Sequence, residues 1–579
     1  MMLGLGLGLG LSLSLGGVTP AAAQTAVGTQ LDAADEQVLP KIYSTYGNFL
    51  AARKAELRDD TAAAAAYYRR VLERDPDNAE VLNRAYFFTG VEGDVEAAAQ
   101  LARRLLIARP GDLLSPIVIA TDMIAQDQVQ DAVDLLSSVD QTGLNAFLVP
   151  VMLAWALAEQ GETDKALVAL DELKATDGVS GLRLLHTALV LDHAGRAEDA
   201  QAAFMAYADA QGDQATLRAI QLVGGYFVRN GQPDQAQAIA QRYTERFPDS
   251  LLVADATKGF ADGDPPPALV VDARTGFAEV FYGTATLMLD SDPQTASLFS
   301  HLGLSLAPNF ALTRLLLGQI LSDRKQYLAS EAIYRAISDD PNLHLAAGLA
   351  IADNQRAREE IDAAASTLQA LAETYPDRPD PLIELGDLYR YEERFEESEV
   401  AYTAALERIP EPARRHWAVY FGRGITYERT KRWPLAEEDF KVALSLEPDQ
   451  PFVLNYLGYS WVDQGVNILE AKEMIQTAVN LRPRDGFIID SLGWAYYRLG
   501  EFDEAVKYLE RAVRATPDDP TINDHLGDAY WQVGRRLEAG FLWKRALDMA
   551  EEEELIDSIQ QKLENGLPEQ TDAPNQAAE

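Results

Sequence analysis

The stretch "GFIIDSLGWAYYRLGEFDEAVKYLERAVRATPDD", Gly486–Asp519, is followed by "PTINDHLGDAYWQVGRRLEAGFLWKRALDMAEEE", Pro520–Glu553. Laid over one another, Asp490 falls on Asp524, Leu492 on Leu526, Gly493 on Gly527, Tyr496 on Tyr530, Ala505 on Ala539 and Ala512 on Ala546. Taken alone, Asp524, His525 and Asp528 have the composition of a general base with its orienting carboxylate. The register removes that reading. Ser491 stands where His525 stands, so the histidine is not part of what repeats, and it is read as a helix-borne groove histidine.

Working outward, the same offsets return. Residues 417–450 carry Gly424, Tyr427, Ala436, Phe440, Ala443 and Pro448; residues 379–412 carry Gly386, Tyr389, Tyr402, Ala405 and Pro410. Residues 451–485 carry Gly458, Ala471, Ala478 and Pro483, with one extra residue in the turn. This is the spacing of the 34-residue tetratricopeptide repeat (TPR). Gly and Ala let two antiparallel helices approach, aromatic side chains fill the space between pairs, and proline ends the second helix because it cannot continue the backbone ladder. One hairpin cannot bury its apolar face alone, so copies stack. The expected fold is all-α, a helix-turn-helix solenoid wound as a right-handed superhelix.

The N-terminal half keeps the phase more loosely. Copies at 45–78, 79–112, 113–146, 147–180, 181–214 and 217–250 retain Ala64, Ala132, Ala166, Ala200, Gly224 and Ala236, with prolines at 76, 110 and 248. Copies at 276–309, 311–344 and 345–378 put Gly283, Gly318 and Ala352 at the close-contact site. Between the two series, residues 251–275 are rich in Pro and Gly, and Pro265–Pro267 cannot be helical, so a domain boundary is expected there. The expected organisation is a signal peptide (1–23), a lead-in (24–44), an N-terminal array (45–250), the break, a C-terminal array (276–553), a polar capping helix (554–565) and a disordered tail (566–579). The signal peptide rests on an apolar run from Leu3 to Leu15 and an Ala21-Ala22-Ala23 cleavage site, which implies export and a mature start at Gln24.

Composition narrows the function. Of 579 residues, 50 are Lys or Arg and 90 are Asp or Glu, a formal charge of −40. Nucleic acid needs a basic footprint and is excluded on that ground. Cysteine is absent, so disulfides, thiolate zinc sites, a cysteine nucleophile and a lipidated cysteine anchor are excluded. The six histidines form no metal-binding spacing, and no cofactor is expected. "GYSWV" at 458–462 lacks the second glycine of a nucleophile elbow and sits on a repeat helix. A non-catalytic scaffold is therefore the reading, with protein or peptide partners and no nucleic acid. Its binding face is expected on the first helices of the last repeats: Asn455, Tyr459, Asp490, Trp494, Tyr497, Arg498, Asp524, Asp528 and Trp531. Aromatic anchors among orienting polar groups are what a peptide-binding surface uses.

"DQPFVLNYLGYSWVDQG", "DGFIIDSLGWAYYRLGEFDEAVKYLERAV", "PDDPTINDHLGDAYWQVGRRLEAGFLWKRAL" and "RRHWAVYFGRGITYERTKRWPLAEEDF" resemble the C-terminal signature of an exported proteobacterial TPR family over about residues 413–550. That family includes an outer-membrane lipoprotein adaptor, which binds a periplasmic carboxyl-terminal processing protease and assists degradation of cell-wall hydrolases. The resemblance implies adaptor work in the periplasm, without a lipid anchor here. The alternative is an assembly subunit of an envelope export, polysaccharide-secretion or pilus machine.

Overall fold

The computed structural model describes residues 44–175, 178–212, 216–247, 260, 266–337 and 341–567. The expected signal peptide, nearly all of the lead-in, most of the break and most of the tail lie outside them. Among the described residues the chain is helical throughout, with two short 3₁₀ turns and no strand. The helices pair as antiparallel hairpins, as in Gly486–Arg498 with Phe502–Ala515 and Pro520–Gln532 with Arg536–Met549.

The repeat residues do what their spacing requires. Ala64, Ala98, Ala132, Ala166, Ala200 and Ala236 are all fully buried. So are Ala436, Ala443, Ala471, Ala478, Ala505, Ala512, Ala539 and Ala546. A Cβ placed on Gly424 would lie 2.5 Å from the Phe440 ring, on Gly493 2.6 Å from Leu509, and on Gly527 2.5 Å from Trp543. Each glycine gives its bare backbone to a large side chain of its own second helix. Entry to the hairpins is set by caps: Asp485 and Asp519 accept from the backbone N–H of Ile488 and Ile522 at 3.3 and 2.9 Å.

The turn inside each hairpin is equally regular. Asp59, Gly93, Asp127, Gly161 and Gly195, spaced 34 apart, have φ between 58° and 88°. Lys325, Glu359, Glu393, Lys431, Gly465, Gly500 and Gly534 take the same left-handed conformation. The N–H three residues after the helix reaches back to close it, as from Gln128 to the Met123 carbonyl (2.8 Å) and from Arg535 to that of Tyr530 (2.8 Å).

The chain divides into two compact units, Met1–Thr367 and Leu368–Glu579, so the division falls inside helix Ile361–Thr374 and not in segment 251–275. The reason lies in the first hairpin after the break, Ala273–Met288 and Pro293–Leu306. It packs on the first helices Ala79–Val91, Ser115–Ala125 and Asn145–Glu159 of the N-terminal hairpins. Its residues also meet their turns. Arg274 donates to the Ala125 carbonyl (2.9 Å) and to Asp127 (2.7 Å). The Ala273 N–H donates to Glu159 (2.8 Å) and Gln294 to Asp59 (2.6 Å). The His301 ring lies against Gly93, 2.8 Å from where a Cβ would stand. Phe277, Phe281, Phe299 and Leu298 are buried in the same core as Trp155. Full burial of each such side chain contributes about 1.5–3 kcal/mol.

This hairpin also corrects one reading of the sequence. Gly283 does not sit at a close contact, because a Cβ there would meet nothing within 4 Å. Gly276, whose Cβ position falls on the Trp155 indole, is the constrained glycine instead. The turn at 289–292 contains no positive φ, unlike the other hairpin turns among the described residues. The hairpin keeps the length of a repeat but not its geometry.

Gly493→Leu should overpack the Leu509 contact and destabilise unit 2 by about 2 kcal/mol or more, read as a lowered denaturation midpoint. Lys431→Gly relieves a left-handed side-chain residue and should stabilise by up to about 1 kcal/mol. Equal effects of the two would contradict the geometric account.

Candidate functional site

The nine residues expected to form a binding face all lie on three first helices of unit 2: Pro451–Gln464, Gly486–Arg498 and Pro520–Gln532. Among the described residues of unit 2, Pro451–Gln464 and Gly486–Arg498 pack chiefly on neighbouring hairpins, whereas Pro520–Gln532 is also met by helix Glu553–Asn565 and the residues after it.

The structure draws most of the nine into one cluster, built from pairs that reach between successive repeats. Asp490 receives His525 Nδ1, at 3.0 and 3.1 Å from its two oxygens. Trp494 stacks on His525, with ring centroids 4.1 Å apart and planes 13° from parallel, and on Tyr497 at 4.7 Å and 7°. Lys562, from helix Glu553–Asn565, donates to Asp524 at 2.6 Å and to Asp528 at 2.9 Å. Trp543 Nε1 donates to the other Asp528 oxygen at 2.9 Å. Asp490, Tyr497, Asp524, His525 and Asp528 are all buried.

The remaining residues stand at the margins. Arg498 donates to the Asp463 carbonyl (3.1 Å). Tyr459 is half-buried; burial, then the charges of Asp490 and Asp463, raise its hydroxyl to about 12. Asn455 is half-buried, and its Oδ1, like Trp494 Nε1 and Asp524 Oδ1, has no hydrogen-bond partner among the described residues. Trp531 is covered by the residues that follow helix Glu553–Asn565: its Nε1 donates to the Leu567 carbonyl (2.9 Å), and Gly566 lies on its ring.

The electrostatics follow from three buried carboxylates facing one lysine and one histidine. Burial alone would push His525 down, but Asp490 first, then Asp524 and Asp528, hold its imidazole above the usual value. Burial and the Asp524 charge raise Asp528 against the pull of Lys562. Lys562 is raised by both aspartates in spite of its burial. The His525 ring is buried beneath Trp494 with its Nδ1 given to Asp490, and among the described residues no hydroxyl bonds to it. Among the described residues no group of His, Cys, Asp or Glu side chains is arranged to hold a metal ion.

Two partners in this cluster escape sequence reasoning. His525 is excluded by its failure to repeat, and Lys562 lies in the capping helix. The signal was the spacing: Asp528 and Lys562 are 34 apart, within a residue of the 35 that separates Asp490 from His525 across one repeat step.

Tetratricopeptide-repeat models match residues 222–250 with 346–378, and 383–451, and a TPR repeat model matches 493–534. A TPR repeat-containing protein of Pseudomonas aeruginosa is 29% identical over 144 residues, 24% of this chain and 24% of its own length. The match therefore spans about a quarter of that relative. Among solved structures, the Cut9–Hcn1 hetero-tetramer of APC/C aligns over 91% of this chain and 97% of its own, at 17% identity and a TM-score of 0.37. YrrB, a TPR protein with an unusual peptide-binding site, aligns over 34% and 99%, at 20% identity and a TM-score of 0.28.

Lys562→Met removes the cation and leaves two buried carboxylates unpaired, so unit 2 should lose about 3–5 kcal/mol. Because His525 is raised in the folded state, its contribution is complete below the ordinary imidazole value of 6.5 and fades as pH rises through the raised one. Wild type should therefore lose stability between neutral and mildly alkaline pH. His525→Gln should be flatter over that window; parallel melting profiles would refute the pairing.

Proposed function

We propose that the protein is a non-catalytic TPR scaffold of the bacterial cell envelope that holds a protein partner on the first-helix face of unit 2. One observation carries the choice of face. First helices Ala79–Val91, Ser115–Ala125 and Asn145–Glu159 are packed beneath the chain's own hairpin 273–306, whereas among the described residues of unit 2 Pro451–Gln464 and Gly486–Arg498 pack chiefly on neighbouring hairpins. Tyr459, Trp494 and Arg498 remain half-buried there, with Asp463 exposed. Aromatic rings and an arginine are the side chains that most often dominate an interface.

The partner proposed is a periplasmic carboxyl-terminal processing protease, with cell-wall hydrolases as the proteins delivered to it. Support comes from the resemblance of residues 413–550 to the exported adaptor family and from the export signal read at 1–23.

Binding of the purified protease from the same source to the full chain, by calorimetry or interferometry, tests the proposal. Tyr459→Ala with Arg498→Ala should weaken it at least about tenfold, about 1.4 kcal/mol, with unchanged helicity. No binding by wild type would remove the protease assignment. Full binding by the folded double variant would remove the face. Mass spectrometry of the native protein should find Gln24 at its N-terminus, and an intact Met1 would contradict export.

A further inference from the structure

Where hairpin 273–306 crosses the last N-terminal hairpins, the packing is incomplete. A cavity of about 210 Å³ lies between first helices Ser180–His193 and Leu217–Arg229 on one side and helices Ala273–Met288 and Ala311–Asp323 on the other. Its walls are largely apolar, with Leu182, Leu185, Leu312 and Leu316 contributing. Gly283 opens on it and has nothing within 4 Å of its Cβ position. Leu287, one turn along, is 71% exposed beside it. Native interiors hold few voids larger than a water molecule. A dry apolar cavity of about 150 Å³ is enough to bind benzene.

The polar groups on the wall set the chemistry. Arg218 donates to Glu279 from Nε (2.9 Å) and Nη2 (2.7 Å), and the pair is nearly excluded from solvent. Arg218 also lies over the Phe310 ring at 4.3 Å. His186 accepts from Trp155 Nε1 at 3.0 Å, and burial holds its imidazole down to about 3, so it is neutral. Tyr243, Tyr282, Thr216, Thr286 and Gln319 add uncharged polar groups, the Tyr282 hydroxyl raised by burial to about 12. The wall therefore carries one cation and one anion, each neutralised by the other. A charged ligand would be buried without a counter-charge, at a high desolvation cost. A neutral one would keep apolar contact along the leucines and could share a hydrogen bond with the tyrosine hydroxyls or the ion pair.

We propose that this cavity is a binding site for a neutral, predominantly apolar small molecule of about the size of two fused aromatic rings or a medium-length alkyl alcohol. It is distinct from the partner face of unit 2, and either assignment can fail without the other.

N-phenyl-1-naphthylamine, a neutral fluorophore, titrated into the full-length protein should bind saturably with one site per chain. Gly283→Leu places a side chain in the open space and should weaken binding at least tenfold, with far-UV circular dichroism and melting unchanged. Thr286→Phe fills the same cavity from the next turn and should weaken binding to the same extent, which keeps the test intact should the first variant not fold. The anionic analogue 8-anilinonaphthalene-1-sulfonate should bind at least tenfold more weakly. Absence of saturable binding by wild type, or undiminished binding by a folded cavity-filling variant, overturns the site. Equal affinity for the anion overturns the neutral-ligand assignment.

Discussion

The contact on which the rest depends is small: a glycine on a first helix against a large side chain of the helix that follows. Gly386 with Tyr402, Gly424 with Phe440, Gly493 with Leu509 and Gly527 with Trp543 are the same arrangement four times. The ring or branched chain lies on bare backbone, so the two helix axes approach within the reach of the buried alanines on the second helix. That approach fixes the hairpin. The hairpin then presents an apolar flank that only the next hairpin can cover, which is why stability in such a stack comes from neighbours as well as from each repeat. The left-handed residue in the turn lets the chain reverse, and Asp, Lys or Glu serve there as well as Gly when the turn demands it.

A second regularity is superimposed on the apolar one. Groups separated by about one repeat meet across the step between successive hairpins: Asp490 with His525, Tyr497 with Gln532, the Asp463 carbonyl with Arg498, and Asp524 and Asp528 with Lys562. The Asp490–His525 and Lys562–Asp524/Asp528 contacts pair groups that stacking buries, and buried charges persist only when paired. The terminal helix Glu553–Asn565 belongs to this scheme. It supplies Lys562 to Asp524 and Asp528 on helix Pro520–Gln532 and so pairs the buried carboxylates there.

The helical hairpins and their phase were legible because they rest on residues that cannot be exchanged freely. Alanines 34 apart and fully buried mark even the copies in which glycine and proline have faded. Ala98 and the left-handed turn positions were equally periodic and went unread because the turn accepts several residue types. The candidate site was legible as a face and not as a set of contacts. The nine residues do share three adjacent first helices, but the sequence pattern could not reveal that Trp494 stacks on His525 or that Trp531 is covered by Gly566 and Leu567. Those contacts depend on which residues meet across a repeat step. The least legible element was hairpin 273–306, since its length and glycines imitate a repeat. Only the environment distinguishes Gly276, pressed on Trp155, from Gly283, which faces open space.

That hairpin shows how the same architecture can be put to two uses. A stack of hairpins always leaves a face of first helices with no further layer of its own. In unit 1 the chain returns over that face with Phe277, Phe281 and Phe299 buried and an ion pair, Arg218 with Glu279, locking the crossing. Such a contact is intramolecular, so its effective concentration is fixed by the chain and no soluble competitor approaches it on equal terms. In unit 2 the corresponding face on Pro451–Gln464 and Gly486–Arg498 keeps Tyr459, Trp494 and Arg498 half-buried, and among the described residues those two helices pack chiefly on neighbouring hairpins. The covered face gains rigidity, and the leftover volume where two non-equivalent hairpins cross becomes a cavity. The uncovered one retains side chains whose burial is incomplete, and completing that burial is the driving force available to a partner.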